Sequence, residues 1–206
     1  MNRSQQAAAP RESRPLTPAG WRVLEVASGL FYREGIHAVG VEAIAAGAGV
    51  TKKTLYACFG SKDRLVAAYL SARDERWREW LTRYVGEHGG SARERVLASF
   101  DALAEWIERE DPRGCGFVNA LAELPSPEHP GRAVITAQKR WLLEYLTGLA
   151  AGTGAPDPQE LGRSLLLLHE GATVASAAGT VPDAARRARE TARALLPPPD
   201  RPDRRR

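Results

Sequence analysis

Apolar side chains return every three or four positions along most of the chain, and this spacing limits its fold more than any other feature. Val23, Ala27 and Phe31 begin the pattern, and Leu161 and Leu165 continue it much later. The spacing places these side chains on one face of an α-helix. No segment shows the sustained period-two alternation of a half-buried strand. The sequence therefore predicts an all-α protein.

Capping residues divide the pattern into about nine helices. Thr17 is placed to cap a first helix over 18–34, and Asp157 is placed to cap the eighth. Ser91 and Glu94 have the spacing of a capping box, in which each side chain accepts a hydrogen bond from the other residue's backbone N–H. These signals predict where helices begin.

The chain has 206 residues, 43% of them apolar, which is enough to build a sizeable core. Residues 1–16 are polar and interrupted by proline, and 197–206 read PPPDRPDRRR, so we expect two disordered basic segments. Arginines in the first segment either enter a minor groove or only keep it soluble. Between the segments we predict a three-helix domain at 17–62 and a larger helical domain at 63–196.

Several classes of protein are disfavoured by the composition. No run approaches the ~18 apolar residues of a membrane span, and the first residues lack the apolar segment of a secretory signal, so we expect a cytoplasmic protein without a membrane partner. Cys58 and Cys115 lack the spacing of a disulfide framework or a zinc site. We expect no metal, no cofactor and no catalytic residue, while a redox role for Cys115 stays open.

One segment has the pattern of a helix-turn-helix. Ala45 is small enough to let a following helix cross closely, Gly49 permits a sharp turn, and Val50 and Leu55 can fill the angle between the two helices. The second of these helices, about 52–58, begins with cations and hydroxyls. The N-terminal end of a helix also favours phosphate, so this helix suits a DNA major groove.

The basic charge supports this interpretation. Residues 1–62 carry eight Lys and Arg against four Asp and Glu, although the formal charge of the whole chain is only +4. Three of the four lysines, at positions 52, 53 and 62, fall in this short segment. Lysines that neutralise phosphates supply most of the affinity for DNA. A solvated helix face is the alternative interpretation.

The segment VEAIAAGAGVTKKTLYACFGSKDRL resembles the signature of the TetR family of transcriptional regulators. The resemblance covers about 17–70, and GCGFVNALAELPSPEHPGR is similar to a segment of the ligand-binding domain in one TetR subgroup. It implies a nine-helix protomer and a homodimer formed through the last two helices. It also implies repression of target genes that ends when an unknown small-molecule effector binds the C-terminal domain.

The resemblance also implies which side chains meet double-stranded DNA. Base edges and phosphates would be contacted by Thr51, Lys52, Lys53 and Thr54, the DNA backbone by Tyr56, and a phosphate by Lys62. Packing against the first helix is the alternative for Tyr56. The sequence departs from the family at Ala57 and Cys58, where polar, basic or aromatic side chains are common, and at Gly40, where Ser or Thr is common.

Aromatic and polar side chains on the later helices are candidates for an effector pocket, with ordinary core packing as the alternative. They are Trp80, Trp106, Phe117, Asn119, Trp141, Tyr145 and His169. Internal hydrogen bonds are the alternative for Asn119 and His169. Ala172, Ala175 and Leu195 are candidates for the dimer contact.

Taken together, these features predict a dimer whose recognition helices fit a near-palindromic operator, with half-sites one helical turn or a multiple apart. An effector would shift the dimer towards an arrangement in which the two recognition helices are too far apart to fit the operator. Two other classes stay open, a ligand-binding or adaptor protein that does not use DNA and an α-helical enzyme.

Overall fold

A computed structural model describes residues 15–110 and 113–198, and all regular structure in those ranges is α-helical. Nine helices lie in them, which confirms the predicted class: α1 (Pro18–Glu34), α2 (Val41–Gly47), α3 (Lys52–Phe59), α4 (Lys62–His88), α5 (Ala92–Glu110), α6 (Gly116–Glu123), α7 (Pro130–Ala151), α8 (Pro158–Ala177) and α9 (Ala184–Leu195).

The predicted caps are present at the helix starts. The Thr17 hydroxyl accepts a hydrogen bond from the Gly20 N–H at 3.2 Å. Ser91 and Glu94 form the reciprocal capping box, with N–H to oxygen distances of 2.7 and 3.2 Å. Asp157 accepts hydrogen bonds from two backbone N–H groups in the first turn of α8. Most of the two segments predicted to be disordered, 1–16 and 197–206, lies outside the described residues.

The first hydrophobic cluster, which we call the N-terminal core, joins the first three helices to the beginning of α4. Its buried members include Val23, Ile44, Leu55 and Leu65. Phe117 of α6 also belongs to it, although α6 follows much later in the chain. The N-terminal core therefore fixes α6 against the helix-turn-helix.

The second cluster, the C-terminal core, fills the space among α4, α5, α7, α8 and α9. Trp77, Phe100, Leu146 and Leu165 are among its buried members. Because α4 contributes to both cores, this single helix of 27 residues, about 40 Å long, connects them.

Candidate nucleic-acid interface

The corner between α2 and α3 is built as the sequence predicts. Ala45 and Leu55 are buried where the helices meet. Gly49 has a positive φ of 63°, a conformation that glycine adopts without strain. The Val50 N–H then donates to the Ala45 carbonyl at 3.0 Å. This turn fixes the direction in which α3 leaves the N-terminal core.

Five predicted DNA-contacting residues lie on one short helix and its cap. Leu55 and Phe59 bury one side of α3, and the remaining side faces solvent. That solvent-facing side carries Thr51, Lys52, Lys53, Thr54 and Tyr56, of which Thr54 is partly buried. Tyr56 is 44% exposed, so its ring is accessible rather than packed away against α1.

The beginning of α3 offers hydrogen-bond donors as well as cations. The Thr51 hydroxyl accepts from the Thr54 N–H at 3.1 Å. The backbone N–H groups of Lys52 and Lys53 precede that bond, and a helix provides no internal acceptor for its first N–H groups. Together with the helix dipole they can bind a phosphate oxygen.

The two lysines differ in a way that the sequence analysis missed. The Lys52 ammonium donates to the Glu42 carboxylate of α2 at 2.6 Å, and this hydrogen bond lowers the pKa of Glu42. In the described residues no ion pair involves Lys53. Glu42 lies ten positions before Lys52, so only the turn between α2 and α3 brings them together. Lys53 is therefore the more available cation.

The family departure at Ala57 and Cys58 has a structural explanation. The Cys58 thiol lies 3.8 Å from the Thr17 hydroxyl, at the start of α1, and the side chain packs against the N-terminal core. It holds α3 against α1 instead of facing outwards. Ala57 is exposed but carries no polar group.

Lys62 lies apart from the exposed side of α3. Its ammonium is 6.0 Å from the centre of the Phe31 ring, and the side chain is partly buried. It lines a recess together with Glu123 and His129, where α4 meets the α6–α7 loop. A phosphate contact by Lys62 stays a prediction.

A polar joint connects this DNA-facing unit to α6. The Glu123 carboxylate accepts hydrogen bonds from the Ile36 N–H at 3.0 Å and the His37 N–H at 2.8 Å, an arrangement that we call the α6 clamp. Gly35, at φ 93°, lets the carboxylate approach, because a Cβ there would be 3.2 Å from an oxygen of Glu123. Sequence analysis missed this contact.

A second joint lies at the other end of α6. The Tyr32 hydroxyl donates to the Gly114 carbonyl at 3.1 Å and accepts from the Arg113 N–H at 3.0 Å. Burial raises the pKa of Tyr32. Both ends of α6 are thus hydrogen-bonded to α1 or to the turn that follows it.

A small cavity of about 30 Å³, the central cavity, lies among the later helices. Three predicted pocket residues line it, namely Trp106, Phe117 and His169. Because ligand sites for drug-sized molecules occupy ~300–1,000 Å³, a ligand of that size would have to displace some of these side chains.

His169 shows how deeply the cavity is set. The side chain is 2% exposed, and Nε2 lies 3.2 Å from the Ser99 carbonyl oxygen. Burial lowers the pKa of His169 to about 4, so the imidazole is neutral at neutral pH.

The other predicted pocket residues lie outside the central cavity. The Trp80 Nε1 donates to the Ala102 carbonyl at 3.0 Å, and Trp141 stacks on Tyr145 with ring centres 5.2 Å apart. Asn119 is exposed and donates to the Arg113 carbonyl at 3.1 Å. For these four residues the structure shows the packing and internal hydrogen bonds that were the alternative.

Other residues line the central cavity and were not predicted to bind an effector. They include Cys115, Gln138, Lys139 and Glu170. A polar residue on an apolar stripe was the available signal for Gln138, which lies between Ile135 and Leu142 on α7. The Cys115 thiol is 3.7 Å from the Lys139 ammonium, which sequence spacing could not reveal.

The candidate dimer residues differ in exposure. Ala172 is only 5% exposed and packs inside the protomer, Ala175 is partly buried, and Leu195 is 48% exposed. On α8 the exposed apolar side chains are Leu167, at 72%, and Val174, at 55%. Their spacing of seven places them on one face of the helix.

The described ranges contain neither a cluster of metal-binding side chains nor a membrane-spanning helix. No three His, Cys, Asp or Glu side chains there are grouped to hold a metal ion. None of the helices in those ranges combines the length and the apolar character needed to cross a membrane.

A buried helix-turn-helix corner and a basic helix exposed beside it define a class, the helix-turn-helix DNA-binding regulators. The family model described as "Bacterial regulatory proteins, tetR family" matches residues 23–69 of the chain. A TetR-family transcriptional regulator from Streptomyces coelicolor is 36% identical, with a TM-score of 0.75, over 86% of this chain and 91% of that one. The chain belongs to the TetR family of transcriptional regulators.

Two further relatives agree with this assignment. A putative TetR regulator from Streptomyces avermitilis is 32% identical, with a TM-score of 0.69, over 85% of this chain and 98% of that one. The HTH-type transcriptional regulator YjdC of Escherichia coli is 27% identical over 103 residues. That match spans 50% of this chain and 52% of YjdC, so it extends over about half the length of that relative.

Proposed function

We propose that this chain is a homodimeric cytoplasmic repressor that binds a near-palindromic operator through α3 and is released by a small-molecule effector. The single observation that carries the proposal is the exposed, basic side of α3 opposite a fully buried corner. Its opposite side, with Leu55 at 0% exposure, fixes the helix so that the exposed side chains keep one orientation. Rigid presentation of a helix is what major-groove recognition requires.

In this proposal Lys53 and the first N–H groups of α3 bind phosphates, and Thr51, Thr54 and Tyr56 approach base edges or the DNA backbone. Lys52 contributes less than Lys53, because it must first leave Glu42 or bring that carboxylate close to the phosphates. Lys62 supplies a further phosphate contact only if it leaves the recess beside Phe31.

The proposed dimer contact lies on the exposed apolar face of α8 together with α9. Leu167, Val174 and Leu195 supply its apolar surface, and Ala175 allows close approach. Ala172 supports α8 from inside the protomer. A two-fold contact of this kind places two copies of α3 on one face of the dimer, as a near-palindromic operator requires.

The proposed coupling between effector and operator passes through α6. Phe117 lines the central cavity and belongs to the N-terminal core. An effector that displaces Phe117 therefore moves α6, and the α6 clamp transmits that movement to the turn after α1. The effector releases DNA if it binds the moved arrangement more tightly than the DNA-bound one.

The test begins by selecting genomic fragments with the purified protein and measuring the affinity for the recovered operator at several salt concentrations. We expect Lys53→Ala to reduce the salt slope by about one unit and Lys52→Ala to reduce it by less. Arg140→Ala, which removes an exposed cation on α7, is the matched control and should change nothing.

Three results would each contradict a part of the proposal. Recovery of no specific fragment would favour a ligand-binding or adaptor protein that does not use DNA. Specific binding with an unchanged salt slope in the double variant Lys52→Ala, Lys53→Ala would refute the assignment of α3. Sedimentation of Leu167→Glu as a dimer would refute the proposed dimer face.

A further inference from the structure

The central cavity contains two buried polar groups without a hydrogen-bond partner. They are the Trp77 Nε1, a donor, and the Gln138 Oε1, an acceptor, and both side chains are at most 5% exposed. Leaving such groups unpaired in the protein interior is unfavourable. Both residues line the same cavity, so one bound molecule can satisfy both groups. That molecule needs an acceptor for Trp77 and a donor for Gln138.

The charged groups that line the cavity do not favour a charged ligand. The Lys139 ammonium donates to both oxygens of Glu170, at 2.7 and 2.8 Å. An anion would have to compete with Glu170 for Lys139, and a cation would have to compete with Lys139 for Glu170. Arg73 directs its guanidinium over the Tyr32 ring and donates to the Glu110 carbonyl. The cavity therefore favours an uncharged molecule.

The remaining walls favour an aromatic ring. Trp77 and Trp106 meet edge to face, with ring centres 5.2 Å apart, and Phe117 lies across the same cavity. A further ring can join such a set by edge-to-face contact. The free volume of about 30 Å³ means that even one ring must push side chains aside, so a single-ring ligand fits better than a larger one.

We infer that the central cavity takes an uncharged single-ring aromatic alcohol, a phenol, whose hydroxyl accepts from Trp77 and donates to Gln138. A hydroxyl is the smallest group that provides both a donor and an acceptor. The partly exposed Lys139–Glu170 pair marks the side from which the ring enters. This inference rests on the proposed function, because it treats this cavity as the effector site.

The test compares phenol with toluene, benzoate and benzylamine, which share the ring and differ in the attached group. Binding is measured by calorimetry, and release of the selected operator is measured on the same protein preparation. We expect phenol to bind roughly tenfold more tightly than toluene, because only phenol pairs the two buried groups. Benzoate and benzylamine should bind more weakly than phenol, and only phenol should release the operator at low concentration.

Two variants test the hydroxyl contacts. Gln138→Met and Trp77→Phe should each weaken phenol binding more than toluene binding, and so lower the preference for phenol over toluene by up to roughly tenfold. Their matched controls are Gln159→Met, an exposed glutamine at the start of α8, and Trp80→Phe, whose ring lies outside the cavity. Thermal unfolding of each variant checks that the fold is retained. If either Gln138→Met or Trp77→Phe fails to fold, the other variant alone tests the hydroxyl contacts.

The inference is overturned if benzoate or benzylamine binds best, if no probe binds, or if both folded variants bind phenol like the unmodified protein. In each of these cases intact operator binding leaves the regulatory proposal standing with a different effector. If the unmodified protein binds no operator specifically, the proposed function is overturned, whether or not phenol binds.

Discussion

The two cores follow the same helical rules but differ in the polar groups that they enclose. Every side chain of the N-terminal core is apolar apart from the hydroxyl of Tyr69. In the described ranges the buried polar side chains all follow residue 70, and they include Ser99, Gln138 and His169. The two buried groups without a partner also lie in this later part.

This difference matches two mechanical tasks. A core that is almost entirely apolar has one preferred packing and can hold a recognition helix rigidly. A core with unpaired polar groups and a small cavity is less stable locally, and a ligand can recover that stability by binding. The proposed function uses the first core to hold a rigid unit that faces DNA and the second to form an adaptable unit that binds the effector.

The largest expected effect is on the stability of the fold, and it comes from truncating one buried leucine in each core in turn. Leu55→Ala should reduce the free energy of unfolding by ~4 kcal/mol, because this leucine is fully buried and does not line the central cavity. Leu142→Ala, beside the central cavity, should reduce it by ~2–3 kcal/mol, because the new space joins one that water can occupy. Denaturant unfolding at a fixed protein concentration measures both, and equal losses would contradict the difference between the cores.

The second expected effect is a dependence of stability on pH that arises in the C-terminal core. The pKa of His169 is about 4 in the folded protein, against an ordinary value of 6.5. Between these values the unfolded chain binds a proton that the folded chain does not, so stability falls as the pH is lowered from 6.5 to 4. The loss should reach ~3 kcal/mol.

Unfolding measured across this pH range tests the effect. His169→Asn should show a flatter dependence of stability on pH than the unmodified protein, whereas His88→Asn, which removes an exposed histidine, should not. An identical slope for His169→Asn would show that His169 does not carry the effect.

The third effect concerns the joint between the two units. Glu123→Ala removes the α6 clamp and should lower the free energy of unfolding by ~1–2 kcal/mol, because two backbone N–H groups lose a charged acceptor. It should also weaken the effect of an effector on operator affinity. Operator titrations with and without effector measure the coupling, with Glu128→Ala, an exposed carboxylate in the next loop, as the control. Unchanged coupling would exclude α6 as the route.

The smallest expected effect is on operator affinity, and it comes from one charge on the surface of the DNA-facing unit. Glu42→Gln should tighten operator binding by roughly two- to fivefold, because it frees Lys52 and removes a negative charge near the phosphates. Glu34→Gln makes the same charge change at the end of α1 and should have less effect. If the two variants tighten binding equally, the Lys52–Glu42 pair has no special role.

Local spacing was enough to predict the helix-turn-helix. Ala45, Gly49 and Leu55 act within a few positions of one another, and side chains three or four positions apart share a helix face whatever the rest of the chain does. The exposure of Lys53 and Tyr56 follows from the same periodicity. The all-α class and the capping residues could be predicted for the same reason.

Long-range contacts could not be predicted in this way. Glu123 and Ile36 are 87 positions apart, and only the packing of α6 on the N-terminal core brings them together. The aromatic residues of the later helices show the same limit. Trp80 and Trp106 have similar sequence surroundings, yet Trp106 lines the cavity while the Trp80 ring contacts the guanidinium groups of Arg83 and Arg109.

The α6 clamp has a consequence for protein engineering. Glu123 accepts hydrogen bonds from main-chain N–H groups, which every residue except proline can donate, although the His37 ring also lies 3.6 Å from the carboxylate and Gly35 must stay small. A DNA-binding domain from another regulator, if it has the same turn after its first helix and a glycine at this position, can therefore be joined to this larger domain and keep the α6 clamp. If the proposed effector control is correct, such a hybrid would bring a different operator under the control of this chain's effector.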